Sequence, residues 1–208
     1  MKTIILDMYG VILKESKGYF IQYVYNHFPG TDKNFLILQF NRASRGVIDS
    51  KELLESLGFA DWFNTQTDYI DKHLTIDEEV IIFLQMYQGK YQFVLLSNDV
   101  GEWNTYIMQK FNLYQYIDQI IISANVGCRK PDNYIYEVTL KKINQAPANC
   151  IFIDNSLRNL DVALEMGIQT ILFNRDQVAY DGKKVNSFYE LSELLTKGDV
   201  LNGKRRLG

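Results

Sequence analysis

Four short stretches of this 208-residue chain carry side chains that could act on one another: Asp7, Ser97-Asn98, Arg129-Lys130 and Asp154-Asn155. Asp7 closes the apolar run Ile4-Ile5-Leu6, and Gly10 follows three positions later, where the chain can turn away sharply. Asp154 closes a second such run, Cys150-Ile151-Phe152-Ile153. An apolar run without polar alternation suits a parallel strand buried on both faces, and in open α/β sheets ligands sit beyond the carboxyl ends of those strands. Two carboxylates meeting at such an edge repel unless a cation lies between them. Oxygen ligands without histidine favour a hard ion, Mg²⁺ before zinc. His27 and His73 have no metal-ligand partner at useful spacing and read as ordinary helix residues.

The elements that must position these groups alternate. Strands are expected at 4–7, 92–96, 119–123, 150–154 and 169–173, with helices near 102–111, 133–143, 157–166 and 187–195 between and after them. From about residue 15 to 83 the pattern is helical throughout, with segments near 17–28, 33–45, 50–57, 60–74 and 77–88. Asp49 or Ser50 is placed to cap the third. Strands alternating with helices imply a parallel sheet covered on both faces. The expected architecture is therefore α/β: a Rossmann-like three-layer αβα core built from residues 1–14 and 84–208, with an all-helical cap, 15–83, inserted after the first strand.

Bulk properties narrow the function classes. The chain is 47% hydrophobic with a formal net charge of −3, and no basic stripe precedes the last few residues, so nucleic acid is not an expected partner. No apolar run approaches the roughly 20 residues of a membrane span. The N-terminus passes directly into a strand carrying Asp7, which is unlike a signal peptide. Two cysteines, Cys128 and Cys150, are too few for a disulfide framework or a cysteine-rich metal site, and a cytoplasmic setting is expected. The basic stretch 197–208 reads as a frayed tail, and nothing in the pattern specifies an oligomeric state.

Together these residues resemble the haloacid dehalogenase superfamily. Asp7-Met8-Tyr9-Gly10-Val11 is similar to its first motif and Leu95-Leu96-Ser97-Asn98 to its second. Gly127-Cys128-Arg129-Lys130-Pro131-Asp132 is similar to its third, and Phe152-Ile153-Asp154-Asn155 with Asn159, Ala163 and Gly167 to its fourth. The branch with a helical cap between the first two motifs is nearest. Arg45-Gly46-Val47-Ile48-Asp49 and Arg129-Lys130-Pro131 resemble segments of sugar-phosphate phosphatases and of the epoxide hydrolase phosphatase domain. The resemblance implies a hydrolase of a small phosphorylated metabolite, in which Asp7 attacks phosphorus to form an aspartyl-phosphate. It assigns Mg²⁺ to Asp7, Asp154 and the Tyr9 backbone carbonyl, and catalytic roles to Ser97 and Lys130 beside Asp7. Asn98, Tyr9 and Arg129 are assigned to substrate, and Asn155 and Asn159 to supporting the metal ligands.

One position departs from the phosphatase pattern. Those enzymes usually carry a second aspartate two residues after the nucleophile as general acid and base, and here that residue is Tyr9, a phenol with an ordinary pKa of about 10. The superfamily's metal-independent 2-haloacid dehalogenases carry tyrosine there, and a further tyrosine where Tyr136 stands, which makes a dehalogenase the chief alternative. Asp154 argues against it, because dehalogenases lack a carboxylate at that place. A catalytically weak member that binds a ligand or partner is the third reading.

Overall fold

The computed structural model describes residues 1–16 and 18–197. The expected basic tail, from residue 198 on, lies outside the described residues. Six strands, β1 (Lys2–Leu6), β2 (Tyr91–Ser97), β3 (Gln119–Ile122), β4 (Cys150–Asp154), β5 (Gln169–Phe173) and β6 (Lys184–Val185), form one parallel sheet in the order β3-β2-β1-β4-β5-β6. The chain winds outward from β1 through β2 to β3, then returns to the other side of β1 with β4. The strand order reverses between β1 and β4, and a crevice opens there beyond their carboxyl ends.

Three helical groups follow from which faces are apolar. Ile4 and Leu6 of β1 face a core shared with α5 (Glu78–Tyr87), α6 (Gly101–Lys110) and α10 (Phe188–Thr196). Ile5 faces a second core, with α8 (Asn133–Ile143) and α9 (Leu157–Glu165). Helices on both faces of a parallel sheet make the Rossmann-like αβα arrangement. Between β1 and β2 stand the helices α1 (Tyr19–His27), α2 (Lys33–Ala43), α3 (Ser50–Ser56) and α4 (Trp62–His73), followed by α5. Aspartate caps recur: Asp32, Asp49, Asp61 and Asp77 each accept a backbone N–H from the first turn of the helix they precede.

Two short elements escape the sequence patterns, β6 and the four-residue helix α7 (Ser123–Val126). The boundary expected between residues 83 and 84 falls inside α5, which is continuous. Its Phe83 packs on Phe93 of β2 and Phe188 of α10, at ring-centroid distances of 5.8 and 5.2 Å. The chain leaves the sheet for α1–α4 and returns to it along two connectors that touch. Lys14 N–H donates to the Thr75 carbonyl and Asp77 N–H to that of Ile12, both at 2.9 Å. Arg175, just after β5, fastens both connectors by donating to the Gly10 and Val11 carbonyls at 3.2 Å and pairing with Asp77.

Candidate active site

The strand register brings the carboxylates together. Leu6 of β1 pairs with Leu95 and with Ile153, so Asp7 emerges level with Asp154, and Ser97 ends its strand one residue beyond the same line. The Asp7 N–H still donates to the Ile153 carbonyl at 3.0 Å, carrying the ladder up to the site. Lys130 enters from the loop before α8, and its ammonium lies between the two acids. It is 2.8 Å from Asp7 Oδ1, 2.7 Å from Asp154 Oδ2 and 2.8 Å from the Leu96 carbonyl. An ammonium has three N–H donors, and all three are used here.

Burial by itself would push the Lys130 ammonium below the ordinary lysine value, but Asp154 and Asp7 on either side hold it above. The carboxyl of Asp7 is pushed up to about 6, by burial first and the charge of Asp154 second, with Lys130 opposing both. Met8 N–H and Lys130 both meet Oδ1 of Asp7, and Asp7 lines the cleft, so Oδ2 is the oxygen available to a reacting group. Asn98 sets the lysine in place. Its amide donates to the Lys130 carbonyl and its oxygen accepts the Lys130 N–H, both at 2.8 Å.

Asp154 is fully buried. Its Oδ1 accepts the Ser156 N–H at 2.7 Å, and its Oδ2 accepts from Lys130 and, at 2.9 Å, from Asn159 Nδ2. It stands behind Lys130 as counter-ion, whereas the neighbouring Asn155 lines the cleft with its side-chain oxygen buried and unpartnered. Asn155 also explains Gly10, whose φ is +78° and where a Cβ would fall 2.1 Å from Asn155 Nδ2. The Ser97 hydroxyl is likewise buried without a partner, beside the cleft and not among its lining residues. Arg129 lines the cleft and reaches across to Asn41 of α2, with its guanidinium 5.9 Å from the Phe40 ring.

Tyr9 lines the cleft too, and its phenol donates to Asp99 Oδ1 at 3.0 Å. Asp99 is wholly buried and also accepts from Val100 N–H at 2.8 Å and Asn104 at 3.3 Å. Burial pushes its carboxyl up to about 7, and the Tyr9 phenol, buried beside that acid, is held well above its ordinary value. Sequence reasoning passed over Asp99. The one available signal was an acidic residue directly after Ser97-Asn98 at a strand end. Tyr136 is elsewhere: fully buried, it donates to the Asn159 carbonyl at 2.9 Å and packs edge-on against Phe152.

Two carboxylates against one ammonium leave the floor of the site with a net charge of −1, which repels an arriving phosphate. Among the described residues no group of three or more His, Cys, Asp or Glu side chains could hold a metal ion by itself. The orphaned Asn155 oxygen, Asp7 and neighbouring carbonyls do offer an oxygen-only set that suits a hard divalent cation. The arrangement can therefore present a carboxylate nucleophile to an electrophile, against an oriented ammonium.

Residues 1–167 match the family model of haloacid dehalogenase-like hydrolases. The chain belongs to that family. Its relatives include a chloroplast flavin mononucleotide hydrolase of Arabidopsis thaliana, 34% identical over 80 residues, and this match covers 38% of the chain but only 33% of the hydrolase's length. The glyceraldehyde 3-phosphate phosphatase of Methanothermobacter thermautotrophicus is 24% identical, over 74% of the chain and 71% of that phosphatase. Among solved structures, a HAD family enzyme from Bacteroides thetaiotaomicron in complex with magnesium and inorganic phosphate superposes with a TM-score of 0.69. It is 21% identical and covers 83% of this chain and 93% of that one. The family is one of hydrolases and phosphatases are among the chain's relatives, and none of the helices in its described residues is long and apolar enough to cross a membrane.

Proposed function

We propose that this hydrolase is a Mg²⁺-dependent phosphatase of a small phosphate monoester, with Asp7 as the nucleophile. The observation that carries the reading is the Asp7–Lys130–Asp154 chain at the switch point of the sheet, opening onto a cleft of about 260 Å³. Asp7 Oδ2 attacks phosphorus while the bond to the alcohol oxygen breaks, and the alcohol leaves with a proton taken from water. Water then attacks the aspartyl-phosphate, releasing phosphate and restoring the carboxylate. Lys130, oriented by Asp154 and Asn98, stays charged throughout and offsets the incoming anion. Ser97, whose hydroxyl has no partner, and Arg129, which lines the cleft, would serve the non-bridging oxygens.

Mg²⁺, when bound, supplies the positive charge that lets a carboxylate approach a phosphate. Asp7 and the Tyr9 carbonyl would hold it as the sequence implies. The unpartnered oxygen favours Asn155 as a third holder over Asp154, whose oxygens serve Lys130, Asn159 and Ser156. The helices α1–α4 act as the cap and α5 belongs with the core. Two buried free cysteines suit the cytoplasmic setting expected from the sequence. The buried Tyr136 and the retained Asp154 weigh against a dehalogenase.

The test is hydrolysis of p-nitrophenyl phosphate with Mg²⁺. EDTA abolishes it, and Asp7→Asn lowers it by about a thousandfold or more. Turnover that survives in the Asp7→Asn protein would remove Asp7 as nucleophile.

A further inference from the structure

Resting on that phosphatase reading, we propose that the ester taken by this cleft carries an aromatic or otherwise apolar alcohol no larger than a ring system or two, and not a sugar or other polyol. The charged groups that line the cleft are Asp7, Lys130 and Arg129, which would meet the phosphate. The walls are rings and aliphatic chains: Phe20, Ile37, Phe40, Tyr69 and Trp103. Phe20 is the node of this wall, with its centroid 4.9 Å from Trp103 and 5.3 Å from Tyr69, both near edge-to-face, and 5.7 Å from Phe40. A further ring or an apolar chain entering the cage continues the same packing.

Two of the polar atoms within reach of the walls are already committed. The Asn41 oxygen is taken by Arg129, and the Tyr9 hydroxyl by Asp99. The indole N–H of Trp103 is buried without a partner, and the hydroxyl-bearing Tyr19 and Tyr69 also line this cleft, so few groups remain to serve a hydrogen-bonding ligand. A polyol would find few donors and acceptors for its several water-bonded hydroxyls among so many rings, which is how a largely apolar site disfavours a hydrogen-bonding ligand. Size points the same way: 260 Å³ lies just below the range of about 300–1,000 Å³ usual for ligand sites, enough for one compact apolar group.

The test compares esters of primary alcohols, so that the leaving groups are matched. With Mg²⁺, kcat/KM for 3-phenylpropyl phosphate exceeds that for glycerol 3-phosphate or glucose 6-phosphate by about tenfold or more. Binding is read separately, from the thermal shift given by 4-phenylbutylphosphonate and by 3,4-dihydroxybutylphosphonate, which cannot be hydrolysed. The expected Kd of the first is lower by about tenfold or more. Ile37→Asn, a change at a partly exposed wall position, shrinks both preferences by weakening the phenyl ligands more than the polyol ones. Polyol ligands that bind or turn over as well as the phenyl ones, or a failure of the phenyl phosphonate to bind, overturns the proposal. If the phenyl phosphonate binds selectively while no ester is hydrolysed, the apolar specificity stands and the phosphatase reading falls.

Discussion

Tyr9 is the residue at which this site departs most from a self-sufficient phosphatase, and its surroundings decide what it can do. The phenol already donates to Asp99 and is held far above the pH of any assay, so it neither accepts a proton from water nor readily gives one up. On the proposed phosphatase mechanism, aspartyl-phosphate hydrolysis becomes the slow step, and rapid-quench traces are expected to show a burst of product with phospho-Asp7 accumulating. Tyr9→Phe should keep the burst and change the steady rate by less than about tenfold, whereas removal of a working acid–base typically costs about 10²–10⁴. Asp99 has its own signature. Its folded carboxyl titrates at about 7 against an ordinary 3.8, so between those values the folded state holds a proton that the unfolded state has lost. Stability therefore falls as pH rises through that window. Urea midpoints at pH 5 and pH 8 should differ in this sense, and less so in Asp99→Asn. Asp7 and Asp154 were legible as a pair because each closes an apolar strand, and a repelling pair of acids demands a cation. The cation expected there was Mg²⁺, whereas the structure sets the Lys130 ammonium between them. The capture of Asp154 by Lys130 and the unpartnered oxygen of Asn155 were not legible, because they turn on which side chain Lys130 meets in three dimensions.

At the level of elements, the site depends on turns that leave the strand ends in narrow conformations. Gly10 lies in the left-handed region with Asn155 against it, so a methyl group there is strained by the backbone and collides with the amide. Gly10→Ala should cost about 1–3 kcal/mol in denaturant unfolding and raise the Mg²⁺ concentration needed for half activity, because Asn155 is displaced. The main strands were readable as continuous apolar runs, since burial on both faces removes any alternation. β6 was not, because two residues at a sheet edge leave no pattern to read. α7 is too short to show a helical period. The end of the helical insert was placed within α5 because both sides of that point are helical and apolar. Only the packing of Phe83 on Phe93 and Phe188 assigns it to the sheet.

For the molecule as a whole, the inserted helices and one face of the sheet share a single hydrophobic core, running from Phe188 and Phe83 through Trp103 to Phe20 and Phe59. The aromatic stripe of α1 divides accordingly. Tyr19 and Phe20 line the cleft, while Tyr23 packs within the helices on Phe59 and Tyr69. Arg175 pins this arrangement where the connectors meet. Arg175→Ala frees two carbonyls and Asp77 together, and should lower stability by about 1–3 kcal/mol while raising KM more than it lowers kcat. Because the outgoing and returning chain touch at Ile12–Lys14 and Thr75–Asp77, everything between is a detour that begins and ends at one spot. The entropy of closing such a detour grows only with the logarithm of its length. Helices facing the substrate can thus lengthen, shrink or be exchanged at this seam over evolutionary time, while the carboxylates below keep their register.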